Sequence, residues 1–153
     1  MRKTSRNTKE AFLWIVGILK NNDVPFRISG GLAARLYGTK RKLADIDLEI
    51  KKKDFNKILA EIIIYAKSKP KYYRDKNWNV YGMTLNYKNQ LIDVSARDDV
   101  KLFDYQKKKW FMPKDKIPDK KMRIYGLVVP VQNREELIDY KTRLGRKVDR
   151  IEV

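Results

Sequence analysis

Hydrophobic residues recur at helical spacing in three segments of the chain. The spacing predicts one helix over residues 8–20, a second from Asp54 to Ala66, and a third from Asn133 to Leu144 that is ended by Gly145. Polar residues are placed to cap these helices. Asn7 with Glu10, and Asn133 with Glu136, have capping-box spacing, and Asp54 is positioned as an N-cap.

Alternating apolar and acidic residues between Ala44 and Ile50 predict a half-buried strand. Its isoleucines and leucine share one face, and its three acids share the other. Further strands are predicted over residues 26–28, 80–87, 90–96 and 122–131, with 80–87 and 90–96 pairing in antiparallel fashion through Lys88-Asn89.

Turn and loop signals separate these elements. The turn Ser29-Gly30-Gly31 leads into a short helix, LAARLYG, closed by Gly38. Residues 98–121 are rich in lysine and contain two prolines, which predicts a long loop, and the terminal VDRIEV predicts the start of another helical turn. The chain of 153 residues therefore predicts one α/β (α+β) domain spanning residues 1–153.

Composition narrows the chemistry. Lysine and arginine number 36 against 19 acids, and the net charge of +17 favours polyanionic partners such as RNA, DNA or nucleotides. An AT-rich genome would raise the lysine content equally well. Cysteine and histidine are both absent, which excludes disulfides, thiolate zinc sites and histidine catalysis. The apolar run AFLWIVGIL is too short to span a bilayer, so we expect a soluble, cytoplasmic protein without a membrane partner.

The acidic strand and the glycine turn are the candidate chemical groups. Asp45 and Asp47 lie two residues apart in a strand, so both project from one face and could share one or two Mg²⁺ or Mn²⁺ ions. Asp93 would be a third ligand if its strand is a neighbour. The pair Gly30-Gly31 allows close approach of a phosphate and offers backbone N–H groups at a helix start. A solvated strand face is the alternative interpretation of the acids.

These residues carry a family resemblance. Gly30-Gly31, a gap of thirteen residues, Asp45-Ile46-Asp47 and a later Ile92-Asp93 resemble the signature of the polymerase-β-like nucleotidyltransferase superfamily. The closing segment VPVQNREELIDYKTRLGRKVDRIEV is similar to that of small single-domain members such as lincosamide nucleotidyltransferases and nucleotidyltransferase-type toxins.

The resemblance implies a nucleotidyltransferase fold, with a small mixed sheet flanked by helices. It also implies transfer of a nucleoside monophosphate from a nucleoside triphosphate (NTP) to a hydroxyl group. Asp45, Asp47 and Asp93 would be the metal ligands, and Asp93 is also a candidate general base. Ser29 and the two glycines would bind the triphosphate.

Lys141 shares the inward face of the last helix with Leu137 and Leu144. Its ammonium group either reaches the surface or points into the site towards phosphate or carboxylate. The resemblance favours the site, where Lys141 would help to bind the nucleotide. Arg146 and Asp149 are predicted to form an ion pair. Arg41 and Lys42 could touch phosphate, although a solvated loop is the simpler interpretation.

The acceptor stays open at the level of sequence. The charge favours a hydroxyl of RNA, including tRNA, or of a protein, over a small drug such as a lincosamide or aminoglycoside. A catalytically silent nucleic-acid-binding relative is a further alternative. Four aromatic residues could stack on bases or on a drug ring, or could simply pack: Tyr72, Tyr73, Trp78 and Trp110. The resemblance to toxins also suggests a partner or antitoxin protein.

Overall fold

The computed structural model describes residues 7–40, 43–113 and 117–145. The helices are α1 Thr8–Asn21, α2 Gly30–Leu36, α3 Phe55–Ile62 and α4 Arg134–Leu144, with short 3₁₀ turns at Lys52–Asp54 and Ile63–Tyr65. The strands are β1 Phe26–Ser29, β2 Asp45–Ile50, β3 Lys71–Arg74, β4 Trp78–Tyr87, β5 Gln90–Asp104, β6 Lys109–Phe111, β7 Lys120–Ile124 and β8 Leu127–Val131. Within the described residues, no helix is both long enough and apolar enough to cross a membrane.

The strands of the described ranges form one eight-stranded mixed sheet in the order β3-β4-β5-β2-β1-β8-β7, with β6 paired to β5. The pairs β2·β5 and β1·β8 are parallel, and the other pairs are antiparallel. This architecture confirms the prediction of an α+β fold with a mixed sheet and flanking helices, although the sheet has more strands than the sequence indicated.

The two faces of the sheet have different environments. One face packs against α1 and α3, as shown by the rings of Trp14 and Tyr87, which stack at 4.3 Å, and of Phe55 and Tyr81, which meet edge to face at 5.3 Å. The hydrophobic core fills this interface, because apolar side chains of both helices meet the apolar positions of the strands. The other face opens into a cleft, beside which α2 and α4 lie.

The prediction of a long loop over residues 98–121 is wrong. Strand β5 continues to Asp104 and pairs with both β4 and β6, and β7 begins at Lys120. A shift in the pairing of β4 with β5 between Val80 and Gly82 interrupts the alternation of β5. Because the pattern breaks at that bulge and the lysines can point to solvent, the sequence did not indicate a continuing strand.

Residues 122–131 form a hairpin rather than the single predicted strand. Tyr125 and Gly126 both have positive φ, at 48° and 84°, which is the conformation of a tight two-residue turn. The tract that follows α3 also contains β3, which was not predicted, and α3 itself ends at Ile62 rather than Ala66.

The predicted caps have mixed outcomes. Asn133 accepts a hydrogen bond from the Glu135 N–H at 2.9 Å, and Gly145 adopts a left-handed conformation, so both ends of α4 are confirmed. The side chains of Asn7 and Asp54 make no cap hydrogen bond. Asn7 instead donates to the carbonyl of Lys88, because β4 and β5 turn beside the start of α1. The predictions for Arg41, Lys42, Arg146, Asp149 and VDRIEV lie outside the described residues.

Candidate active site

Three carboxylates converge where β2 and β5 run in parallel. The register places Asp47 beside Asp93, and Asp45 lies two residues earlier on the same face of β2. One carboxylate oxygen of each residue lies within 4.8 Å of those of the other two. The strands that carry Asp47 and Asp93 are therefore neighbours, which is the condition for Asp93 to act as a third ligand.

The glycine turn packs directly against this cluster. Ser29, the last residue of β1, pairs with Asp47 across the antiparallel β1·β2 ladder. The N–H of Gly31 donates to Asp47 Oδ2 at 3.0 Å. Gly30 has a φ of +57°, and a Cβ atom there would lie 2.8 Å from Asp47 Cγ, so no other residue fits without displacement.

This contact changes one expectation from the sequence. The Gly31 N–H was expected to be free for a phosphate, yet it is engaged by Asp47. A phosphate can use that donor only if Asp47 gives up the hydrogen bond, for instance by turning towards a cation.

Burial and like charges dominate the electrostatics of the cluster. Burial, followed by the charge of Asp93, raises the pKa of Asp47 from 3.8 to about 7, against the lowering effect of the Gly31 N–H. Asp45 and Glu49 raise the pKa further.

Asp93 is perturbed in the same direction. Burial raises its pKa most, and Asp45 adds to the rise through its charge and a shared hydrogen bond. The Thr84 hydroxyl donates to Asp93 Oδ1 at 2.7 Å and opposes the rise by favouring the ionised form. Carboxylates crowded together in this way present the hard oxygen donors that Mg²⁺ and Mn²⁺ prefer, and a cation would relieve their mutual repulsion.

The cluster lies in a cleft of about 600 Å³ between the sheet and α4. All seven residues that the sequence assigned to metal or nucleotide binding line it: Ser29, Gly30, Gly31, Asp45, Asp47, Asp93 and Lys141. Lys141 is 8% exposed and lines the cleft from α4, so its side chain is buried rather than extended into solvent.

Arg27 is a cleft residue that the sequence analysis missed. It is 2% exposed, and its guanidinium lies 3.0 Å from Glu49 and 3.2 Å from both Asp119 and Glu136. Arg97 binds the other side of Asp119 at 3.0 Å. The network ties β1 and β2 to α4 and to the residue that precedes β7.

The local sequence holds a weak signal for this network. An arginine between Phe26 and Ile28 in an apolar strand must point to the opposite face, where it needs a partner if it is buried. Glu49, the third acid on the cleft face of β2, is salt-bridged to this arginine. Glu136, predicted as half of a capping box, instead accepts from Arg27 and from the Ile117 N–H at 3.1 Å.

The four aromatic candidates divide into two pairs. Tyr73 and Trp78 line the cleft. Tyr72 is 51% exposed and contacts Lys52, and Trp110 meets Phe103 edge to face at 5.5 Å, both away from the cleft.

Solved structures share this fold. A candidate nucleotidyltransferase from Thermotoga maritima aligns with a TM-score of 0.75 at 17% identity, covering 97% of this chain and 91% of that one. The lincosamide antibiotic adenylyltransferase LnuA, bound to lincomycin, aligns with a TM-score of 0.62 at 12% identity, covering 98% of this chain and 95% of that one. ANT(2″)-Ia in complex with adenylyl-2″-tobramycin aligns with a TM-score of 0.55 at 18% identity, covering 88% of this chain and 74% of that one.

No protein-family model matches the sequence, and no curated protein matches it significantly. The structural likeness shows that this chain has the nucleotidyltransferase fold. This is the fold that the sequence resemblance implied.

Proposed function

We propose that this protein is a metal-dependent nucleotidyltransferase that moves a nucleoside monophosphate from an NTP to a hydroxyl acceptor. One observation carries the proposal: in a nucleotidyltransferase fold, three carboxylates meet within 4.8 Å beside a glycine turn, in a cleft large enough for a nucleotide. The perturbed pKa values of Asp47 and Asp93 support it, because such perturbation clusters at functional sites.

The proposed roles follow from position. Asp45, Asp47 and Asp93 would hold Mg²⁺ or Mn²⁺, and the bound cation would neutralise charge on the phosphates. Ser29, Gly30 and Gly31 would bind the β- and γ-phosphates.

Two further groups would complete the reaction. Lys141, on the α4 side of the cleft, would contact a phosphate oxygen. Asp93, whose pKa is raised, would accept the proton of the acceptor hydroxyl. The hydroxyl oxygen would bond to the α-phosphorus as the bond from that phosphorus to the pyrophosphate oxygen breaks.

The net charge of +17 favours RNA, including tRNA, or a protein as the acceptor. A small-molecule acceptor is the second candidate. Its support is that ANT(2″)-Ia with adenylyl-2″-tobramycin and lincomycin-bound LnuA share the fold.

A labelling experiment tests the proposal. The protein is incubated with Mg²⁺ and each NTP, labelled at either the α- or the γ-phosphate, together with total RNA, cell protein, tobramycin or lincomycin. We expect label to reach an acceptor only from the α-phosphate. Asp45→Asn and Asp47→Asn should each reduce transfer by about 10³-fold or more, because phosphate charge would lose its neutralising partner.

Glu61→Gln is the matched control, since it removes one carboxylate from the exposed surface of α3. Transfer at the wild-type rate by either aspartate variant contradicts the metal assignment. Label from the γ-phosphate would indicate kinase chemistry instead. If no acceptor is labelled although RNA binds, the protein is a catalytically silent binding relative.

A further inference from the structure

The cleft has an apolar end beyond the carboxylates. Five residues form what we name the aromatic wall: Tyr73, Trp78, Val80, Val100 and Leu102. Strand pairing brings them together, since Val80 lies between Tyr73 on β3 and Val100 on β5, and Trp78 pairs with Leu102. The bulge in β5 places Val100 and Leu102 on the cleft face.

The aromatic wall is a surface and not part of the core. Its five residues are all partly exposed, whereas Met83 and Leu85, on the other face of β4, are 2% and 0% exposed. The wall contains no acidic residue, and among the residues that the structure describes the acids that line the cleft are those of the carboxylate cluster and Glu49. A polycationic ligand would therefore find no ionic partner along the wall, whereas flat, uncharged rings would find aromatic contact.

The position of the wall relative to the glycine turn indicates which substrate it faces. The turn follows β1, the carboxylates lie on β2 and β5, and the wall lies on β3, β4 and the far half of β5. In phosphoryl transfer the attacking and leaving oxygens are roughly in line. If the leaving pyrophosphate lies at the glycine turn, the attacking hydroxyl arrives from the side of the wall.

The wall also extends far from the carboxylates. Thr84 pairs with Asp93, and Trp78 lies six residues away along the same face of β4, so the carboxylate cluster and the far end of the wall are separated by about 20 Å at the rise of a strand. A single small ring is too short to fill that distance. Basic residues accompany it: Lys71 lies 5.2 Å from the ring of Tyr73, and Arg97 lines the cleft between the carboxylates and the wall.

We propose that the aromatic wall binds the bases of a single-stranded nucleic acid whose terminal hydroxyl is the acceptor. This proposal rests on the proposed function and specifies its substrate. The terminal hydroxyl oxygen bonds to the α-phosphorus, the bond to pyrophosphate breaks, and the hydroxyl proton passes to Asp93. Bases stack on Tyr73 and Trp78, and Lys71 lies close enough to the wall to meet the phosphodiester backbone.

Binding of a short, mixed-sequence, 5′-labelled RNA, measured without NTP, tests the wall directly. Trp78→Ala and Tyr73→Ala should each weaken RNA binding by about 5- to 150-fold, the range expected for loss of a base–aromatic stack. Trp110→Ala and Tyr72→Ala are matched controls outside the cleft and should change RNA affinity less than about twofold. Affinity for Mg²⁺ and NTP, measured by calorimetry, should stay the same in all four variants.

The outcomes separate the alternatives. Equal losses in wall and control variants, or no loss in either, overturn the proposal. Weaker NTP binding with unchanged RNA binding would mean that the wall holds the base of the NTP. Loss of tobramycin, lincomycin or protein labelling, without loss of RNA binding, would assign another acceptor.

Two controls keep these outcomes interpretable. If circular dichroism shows that Trp78→Ala fails to fold, Trp78→Leu retains apolar bulk, removes the ring and should show the same loss of RNA affinity. Failure of the proposed function gives a different pattern, because NTP and Mg²⁺ would then not bind while the wall variants still weaken RNA binding.

Discussion

The two faces of β2 show how one strand divides stability from function. Ile46, Leu48 and Ile50 are 0%, 0% and 1% exposed and pack in the core against α1 and α3. Asp45 and Asp47, on the other face of the same strand, are partly exposed and face the cleft. Burial of the apolar face stabilises the fold, whereas repulsion between the carboxylates and their desolvation on the acidic face destabilise it. Neighbouring residues should therefore respond to substitution in opposite ways.

Arg27 should be an exception to this contrast. It lies on the cleft face, yet we expect it to stabilise the fold. Arg27→Ala should lower the free energy of unfolding by about 3–5 kcal/mol, since three carboxylates would lose their shared partner. Urea unfolding followed by circular dichroism measures this loss. Arg123→Ala, at an exposed arginine of β7, is the control and should cost at most about 0.5 kcal/mol. Equal effects at the two positions would mean that the buried network contributes nothing specific.

Leu48→Ala and Asp47→Asn test the contrast at adjacent positions. The leucine variant should lower the free energy of unfolding by about 2–5 kcal/mol through loss of buried contacts and the cavity left behind. Asp47→Asn should leave the stability of the metal-free protein unchanged or raise it, because it removes a charge that burial and Asp93 disfavour. A large loss of stability in the asparagine variant would show that the acidic face is structural.

The pH dependence of stability sharpens the comparison with a smaller effect. The pKa of Asp47 is raised from 3.8 to about 7 in the folded state, so folding favours its protonated form. The stability that protonated Asp47 contributes to the folded state is complete below pH 3.8 and is lost as the pH rises to about 7. The stability of the wild type relative to Asp47→Asn should fall over that window by about 1–2 kcal/mol, since neighbouring carboxylates share the titration.

Denaturation of both metal-free proteins at a series of pH values measures this difference. If Asp47 is a ligand, addition of Mg²⁺ should make the stability of the wild type depend less on pH, because a bound cation keeps the carboxylate ionised. If the wild type instead became more stable relative to Asp47→Asn as the pH rises, the direction of the pKa shift would be contradicted.

The alternation of residues carried most of the information that the sequence held about the site. The period of two between Asp45 and Ile50 correctly separated core from cleft, and it placed two of the three acids together. Joining Asp93 to them needed the parallel pairing of β2 with β5, which no local pattern specifies. The resemblance to a known superfamily supplied Asp93 as the expected third ligand, but not the direction in which the two strands pair.

Features that depend on distant parts of the chain could not be predicted. Arg27 meets Glu136, 109 positions away, and Asp119, 92 positions away. The bulge in β5 reverses which residues face the cleft, so Val100 and Leu102 could not be assigned to the aromatic wall from their spacing. The turn at Tyr125-Gly126 was missed because Ile124 before it and the apolar run after it read as one continuous strand.

The tight fit between Gly30 and Asp47 affects how related sequences should be interpreted. The glycine is required by the shape of the turn, since a Cβ atom would meet the aspartate side chain whether or not a nucleotide is ever bound. An asparagine at position 47 would crowd a Cβ at position 30 just as closely. A homologue that has lost catalysis would thus still need glycine at this position, and its presence would report the architecture alone. Retention of Asp45, for which the structure records no hydrogen bond to the turn, would be the more informative sign of an active enzyme.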